Sequence, residues 1–409
     1  MTSSALGRDF RLLWSAAVSS RLGDALRTPA LALLAAAVTR DPRIIAAVTV
    51  AGQLPPLLLG LLGGVYADRW DRRRTMALVD GVRAIVVAAL AVAVALDRVG
   101  VALLLLAAFL LAALGTLFDS ASFALLPALV PPDALPRANG RLQAGSAVAG
   151  GFLGAPAAGV LFALAPALPF ALDAVTFAAA ALLVLALAPV PVPVASAPAR
   201  RKSVRSEIVE GMRWLRGHRT LWRVTLLAAA SNLAISGIMA VLVLYALDVL
   251  RVPPAGYGLF AAAAIVGGVT GALGAGRLAA RFGTVPTLRA VLAAQTVALT
   301  GFALARHPVP GGLALAVFAA GTVVWNSLSA SYGQRHVPAG LLGRVGAAQR
   351  MVGLLTAPVG AVLAGLAAAA YGTVPVAGAA AGTFALVTVA AWRTLRPAAT
   401  GVPNLTGVG

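Results

Sequence analysis

Twelve stretches of the chain are predominantly apolar for about 20 residues or more: 10–37, 43–66, 75–96, 101–126, 143–165, 168–189, 224–247, 256–280, 286–305, 311–332, 346–370 and 374–395. An α-helix rises 1.5 Å per residue, so about 20 residues cross the ~30 Å hydrocarbon core of a bilayer. Lipid offers no partner to a backbone N–H or C=O, so each stretch is expected to be a helix. The predicted class is an all-α polytopic membrane protein with 12 transmembrane helices. Composition agrees: 60% of the 409 residues are hydrophobic and 11% charged, against about 45–50% and 25% in a soluble domain. That balance excludes a soluble enzyme, a disordered chain and a nucleic-acid-binding module.

The formal charge of +19, from 32 Lys+Arg against 13 Asp+Glu, has to be read by position. A basic excess marks nucleic acid, anionic lipid or membrane topology. Threaded through 12 spans, one side holds 25 basic residues and the other five, with Arg21 and Arg27 left inside the first span. The bias predicts that both termini are cytoplasmic. The charge is therefore a topology signal, and no nucleic-acid partner is expected. Arg8, Asp9 and Arg11 precede a first apolar stretch too long for a cleavable signal. Cysteine is absent, which excludes disulfides and thiolate chemistry, and no metal-ligand spacing or Walker loop stands out. No enzyme activity, cofactor or metal is expected. The alanine load and the single lysine, Lys202, suggest a high-GC bacterial genome, which places the chain in a bacterial inner membrane.

The hydropathy breaks at 190–223, where a Pro/Ala stretch leads into a basic segment able to form a surface helix from about Ser206 to Arg216. This divides the chain into a first six-helix bundle (1–189), a cytoplasmic central loop (190–223), a second six-helix bundle (224–396) and a tail (397–409). The halves resemble each other. GFLGAPAAGVL (151–161) in the fifth span shares six of 11 positions with GLLTAPVGAVL (353–363) in the eleventh. GVYADRWDR (64–72) aligns with GRLAARFGT (276–284) after the second and eighth spans. Equivalent spans point the same way, so the repeats are parallel, a transporter pattern with a central cavity between two bundles.

The loop after the second span carries Gly64, Asp68, Arg69, Arg72 and Arg73. It resembles the G-x-x-x-D-R-x-x-R-R signature of the major facilitator superfamily. The stretches 8–26, 119–140, 170–187, 207–223 and 333–350 are similar to its drug and siderophore efflux branch, which includes macrolide-efflux and enterobactin-exporter proteins. The resemblance covers essentially the whole chain. It implies alternating access, export and proton antiport, with those loop residues gating the cytoplasmic side. It also singles out Pro156 and Gly159 in the fifth span and Pro358 in the eleventh. Two departures stand out. The fourth span has no arginine, and Ala155 stands where the fifth-span motif has glycine before its proline, so the resemblance carries export further than proton coupling.

A charge at the centre of a membrane helix costs at least about 2.5–3.5 kcal/mol and needs a reason. The first span holds Arg21, Asp24 and Arg27, and at 100° per residue the arginines flank Asp24 on one broad face. Two readings stand: a self-neutralising cluster, or a proton-carrying carboxylate with a surplus arginine for substrate. Asp119 in the fourth span and Asp173 in the sixth are further proton-coupling candidates. Their structural readings are a partner for Arg83 or the loop arginines, and an interfacial acid at a helix start. Asp80 and Arg83 look like a local pair near the interface. The second half has no acid inside a span. Gln53, Asn232, Trp325 and Asn326 join Arg21, Asp24 and Arg27 as candidates to line a substrate cavity. The expected function is secondary active export of a small amphipathic molecule in exchange for protons, by a monomer in the lipid bilayer. The alternative is an importer or facilitator of a small solute.

Overall fold

The computed structural model describes residues 7–59, 71–131, 134–188, 204–338 and 341–394. Six helices form the first bundle: α1 (Arg8–Val38), α2 (Pro42–Leu59), α3 (Arg72–Ala95), α4 (Val101–Leu129), α5 and α6 (Leu168–Leu185). Helix α5 runs from Leu135–Ala147 through a π-helical turn, Val148–Gly154, into Ala155–Leu164. The short helix α7 (Val204–Gly217) follows. The second bundle is α8 (Arg219–Leu244, with a π-helical turn at Tyr245–Val249), α9 (Pro254–Phe282), α10 (Thr284–Leu304), α11 (Pro308–His336), α12 (Leu342–Tyr371) and α13 (Thr373–Thr394). The loop stretch 190–203 and the tail 397–409 lie outside the described residues.

Eleven of these helices are long and apolar enough to cross a membrane on composition alone. Helix α1 is not among them because any 18 consecutive residues of it include at least three of Arg8, Asp9, Arg11, Arg21, Asp24 and Arg27. It nevertheless packs along α6 and α5 in the middle of its bundle. Its charges are therefore answered by protein.

Sequence ends set the helix ends. Asp71 caps α3 by accepting a hydrogen bond from the Arg74 amide at 3.1 Å, the usual way to satisfy an orphan N–H. His218 and His307, two of the three histidines, cap α8 and α11 in the same manner. Gly283 (φ +83°) and Gly372 (φ +84°) make the turns after α9 and α12, a backbone region that glycine enters without strain. Helix α7 begins two residues before the predicted surface helix. It is held on the second bundle by the Arg344–Glu210 pair at 2.9 Å and by Leu215 packing near Val337 and Val345.

The internal repeat reappears in the packing. Two helix pairs join the bundles, α5 with α9 and α12 with α2. Repeat equivalence exchanges α5 with α12 and α2 with α9, so these are one contact used twice. Both Ala-Pro helices sit on this seam. Small residues permit it: a Cβ on Gly159 would stand 2.7 Å from the Ala255 carbonyl oxygen, and one on Gly365 would stand 2.5 Å from Ala46 Cβ. Both contacts lie toward the arginine-poor end of the molecule. Arg40 and Asp248 also pair there across the bundles at 2.9 Å. The bundles are thus joined at the end opposite the arginine-rich one.

Candidate functional site

A cavity of about 490 Å³ lies between the bundles. Helix α1 contributes Arg27, Thr28 and Leu31, α2 contributes Val48 and Thr49, α4 contributes Ala108 and Ala112, and α8 and α9 contribute Met239, Val243 and Tyr257. The wall is apolar except for Arg27, Thr28, Thr49 and Tyr257. Such a lining suits a ligand that buries a greasy body and anchors one polar end.

Arg27 connects the cavity to a charged cluster inside the first bundle. Its Nη2 donates to Asp24 Oδ1 at 2.5 Å, and its Nε lies 3.2 Å from Asp173 Oδ2. The same Asp24 oxygen accepts from Arg83 Nη2 at 2.6 Å. Arg83 Nη1 in turn donates to Asp80 Oδ1 at 3.1 Å and Ser20 Oγ at 3.0 Å. The Arg83 guanidinium also lies 3.8 Å from the centre of the Phe177 ring, a cation–π contact. At the cluster's exposed edge, Arg21 Nη2 donates to Asp119 Oδ1 at 2.5 Å, while its Nη1 stands 3.9 Å from Asp24. Helices α1, α3, α4 and α6 all contribute.

Among the described residues, three arginines face four aspartates. With every group ionised, the cluster carries one uncompensated negative charge. The shortfall is felt in the interior. Asp80 and Asp173 are fully buried. Among the described residues, neither oxygen of Asp173 has a hydrogen-bond partner, and Asp80 Oδ2 also lacks one. The Arg27–Asp173 approach therefore neutralises charge without an aligned hydrogen bond. Buried polar groups are overwhelmingly hydrogen-bonded, so these exceptions call for an explanation. Gly23 makes the approach of α6 possible, since a Cβ there would stand 2.1 Å from Asp173 Oδ1 and 2.2 Å from Thr176 Oγ1.

Several residues sit differently from the sequence expectation. Among the described residues, Asp119 pairs with Arg21 rather than with Arg83. Asp173 is no helix-start acid: α6 begins at Leu168, and the carboxylate is buried against Arg27. Arg83 does pair with Asp80, but it is 1% exposed and reaches Asp24 as well. Helix periodicity showed the pair; which way it faced was set by α6 and α1. Trp325 is buried among core residues that include Phe318 and Phe384, away from the cavity lining. Asn326 is exposed on α11, and Asn232 meets Gly353 where α8 packs on α12. Gln53 follows the cavity residue Gly52, and its buried Oε1 has no hydrogen-bond partner among the described residues.

Of the loop signature, Gly64, Asp68 and Arg69 lie outside the described residues. Arg72 opens α3. Arg73 reaches across to α6, where it donates to the carbonyl oxygens of Val184, at 3.3 Å, and Leu185. A cation on the last carbonyls of a helix satisfies orphan acceptors and the negative end of the helix dipole. Pro156 follows the π-helical turn of α5, Gly159 lies on the α5–α9 seam, and Pro358 is inside α12.

Residues 13–361 match the family described as the Major Facilitator Superfamily. No curated protein sequence matches the chain. Solved structures resemble it over nearly its whole length. A bacterial homologue of the human lysosomal transporter Spinster, in an inward-facing and occupied conformation, superposes with a TM-score of 0.76 at 14% identity, covering 96% of this chain and 98% of that one. A bacterial homologue of the iron transporter ferroportin, inward-facing, gives 0.74 at 17%, covering 96% and 100%. The nucleoside transporter NupG gives 0.72 at 15%, covering 94% and 99%. At these identities the likeness is one of fold.

Proposed function

From the premise that this chain belongs to the Major Facilitator Superfamily, we propose that it exports a small amphipathic molecule from a bacterial cell in exchange for protons. The arginine-rich end and both termini face the cytoplasm in this reading, as the charge bias requires. The carrying observation is the charge imbalance beside the apolar cavity: among the described residues, four aspartates against three arginines, with no hydrogen-bond partner for Asp173. One proton cancels the excess charge. So does the cationic or hydrogen-donating head of an amphiphile seated in the cavity. The two ligands compete for the same charge, and competition between proton and substrate is what exchange requires. Rocking of the bundles would present the cluster to one side and then the other. The seal at the arginine-poor end, with the Arg40–Asp248 pair across it, supports assignment of this state as the one that loads substrate from the cytoplasm.

The test is the accumulation of fluorescent amphipathic cations in an efflux-deficient bacterial host. Expression is expected to lower accumulation, and collapsing the proton gradient or introducing Asp173→Asn is expected to restore it. Equilibration that ignores the gradient would establish a facilitator instead. Unchanged accumulation across a chemically broad panel would overturn export of such molecules.

A further inference from the structure

Tyr257 of α9 lines the central cavity and is 5% exposed. Among the described residues its hydroxyl has no hydrogen-bond partner. Buried phenols ordinarily find one. Tyr245 does: it is 1% exposed, and its hydroxyl donates to the carbonyl oxygens of Phe302 at 2.8 Å and Ala303 at 3.2 Å. A buried polar group left over in this way calls for an explanation. Here the side chain borders a hollow of about 490 Å³, so a ligand can supply what the protein does not.

The other polar residues on the wall are committed differently. Thr28 donates its hydroxyl proton to the Asp24 carbonyl oxygen at 2.7 Å, and Thr49 donates to the Ile45 carbonyl oxygen at 3.4 Å. Both turn lone pairs, not protons, to a ligand. Arg27 is engaged by Asp24 and Asp173. Among the described residues, Tyr257 is thus the cavity hydroxyl with an uncommitted proton. Helix α5 fixes its depth. Gly154 of α5 packs on Ala25 of α1, and the carbonyl oxygen of the next residue, Ala155, meets Gly258 of α9. At 1.5 Å per residue, Arg27 and Tyr257 therefore lie within about one turn of the same depth. One belongs to the first bundle and the other to the second.

We propose that Tyr257 is a substrate-binding residue, and that the transported amphiphile carries an oxygen acceptor a few bonds from its cationic head. This deepens the export reading and rests on it. The head answers the excess aspartate charge beside Arg27, and an ether, carbonyl or hydroxyl oxygen accepts from the Tyr257 O–H. A hydrocarbon cation of the same shape leaves the phenol unpaired in a closed site, which is how a site built to hydrogen-bond its ligand rejects an analogue lacking the group. The cavity thereby selects oxygenated cations over plain lipophilic ones. Because Gly258 sits on the α5–α9 seam, the same contact places the substrate against the helix that closes the arginine-poor end.

Titration calorimetry of the purified full-length protein in lipid nanodiscs tests this with two phosphonium ions of matched shape. They are 3-methoxypropyltriphenylphosphonium and pentyltriphenylphosphonium, which differ by one ether oxygen for one CH2. Tyr257→Phe is expected to weaken binding of the ether about fivefold, the size of one net hydrogen bond, and to leave the pentyl compound bound at least as tightly. The comparison is between proteins, so the ether's lower hydrophobicity cancels. The ligand-free variant should melt no lower than wild type, since no bond within the protein is lost. Tyr245→Phe does lose bonds, so it should melt lower and leave the ratio of the two affinities unchanged. A ratio that Tyr257→Phe fails to shift toward the pentyl compound, an equal shift from Tyr245→Phe, or a lower melting temperature for ligand-free Tyr257→Phe would overturn the proposal. Binding of neither cation by wild type would instead overturn the export reading beneath it.

Discussion

Arg83 and Arg21 each hold a carboxylate, but their surroundings set different stakes. The Arg83–Asp80 pair is buried, with side-chain exposures of 2% and 0%. Breaking such a pair from one side leaves an uncompensated buried charge and costs about 3–5 kcal/mol. The Arg21–Asp119 pair is exposed to 43% and 53%, where water screens the attraction and a pair contributes about 0–1 kcal/mol. Arg83→Gln is therefore expected to lower the melting temperature of the purified protein sharply, and Arg21→Gln to leave it nearly unchanged. A similar drop in both would mean that burial does not set these energies. Gly23→Ala adds one methyl group where Asp173 and Thr176 already stand. Overpacking of this kind costs about 1–3 kcal/mol, to be read as a lower unfolding midpoint than wild type. The sequence showed the α1 part of the cluster, because Arg21, Asp24 and Arg27 interrupt an apolar stretch and demand a reason. It did not show Arg83 or Asp173 as members. Arg83 lies 11 residues from the first of α3, close enough to the arginine-rich end to count as a topology charge. Only the packing of α6 against both α1 and α3 turns both groups inward.

The elements themselves were legible because lipid leaves the backbone one choice, and 20-residue apolar stretches carry that choice in full view. The π-helical turn in α5 had no such signal. It needs one inserted residue's worth of backbone, and Gly150-Gly151 is compatible with an ordinary membrane helix as well. The seam helices were half legible: the shared Ala-Pro stretches marked α5 and α12 as equivalent, without saying that both face the other bundle. That seam yields a prediction about α9. A Cβ on Gly258 would stand 2.0 Å from the Ala155 carbonyl oxygen, and backbone cannot yield as a flexible side chain does. Gly258→Val is expected to force α5 and α9 apart at the sealed end. The native chain has no cysteine, so a single Ala32→Cys in the cavity wall reports access without background. In the valine variant it should react severalfold faster with an impermeant maleimide added at the arginine-poor side. An unchanged rate would show that this contact does not hold the seal.

At the scale of the whole molecule, the two bundles meet at a small set of contacts, and the proposed rocking needs the energies holding this arrangement to be modest. The Arg40–Asp248 pair fits that requirement. Its side chains are 63% and 54% exposed, so its contribution is at most about 1 kcal/mol. Since 1.4 kcal/mol is tenfold in an equilibrium, the pair shifts the sealed population by no more than about fivefold. Asp248→Arg replaces attraction with repulsion across the seam and is expected to move the population toward the state open at the arginine-poor end. Adding Arg40→Asp restores opposite charges and should return it. Spin labels at Leu96→Cys and Val309→Cys, exposed positions on the two bundles at that end, read the distance directly. The single variant should broaden the distribution toward longer distances, the double variant should reverse this, and high salt should flatten the difference by screening. Distributions indifferent to all three changes would mean that apolar packing at Gly159 and Gly365 sets the seal alone, with the ion pair a bystander.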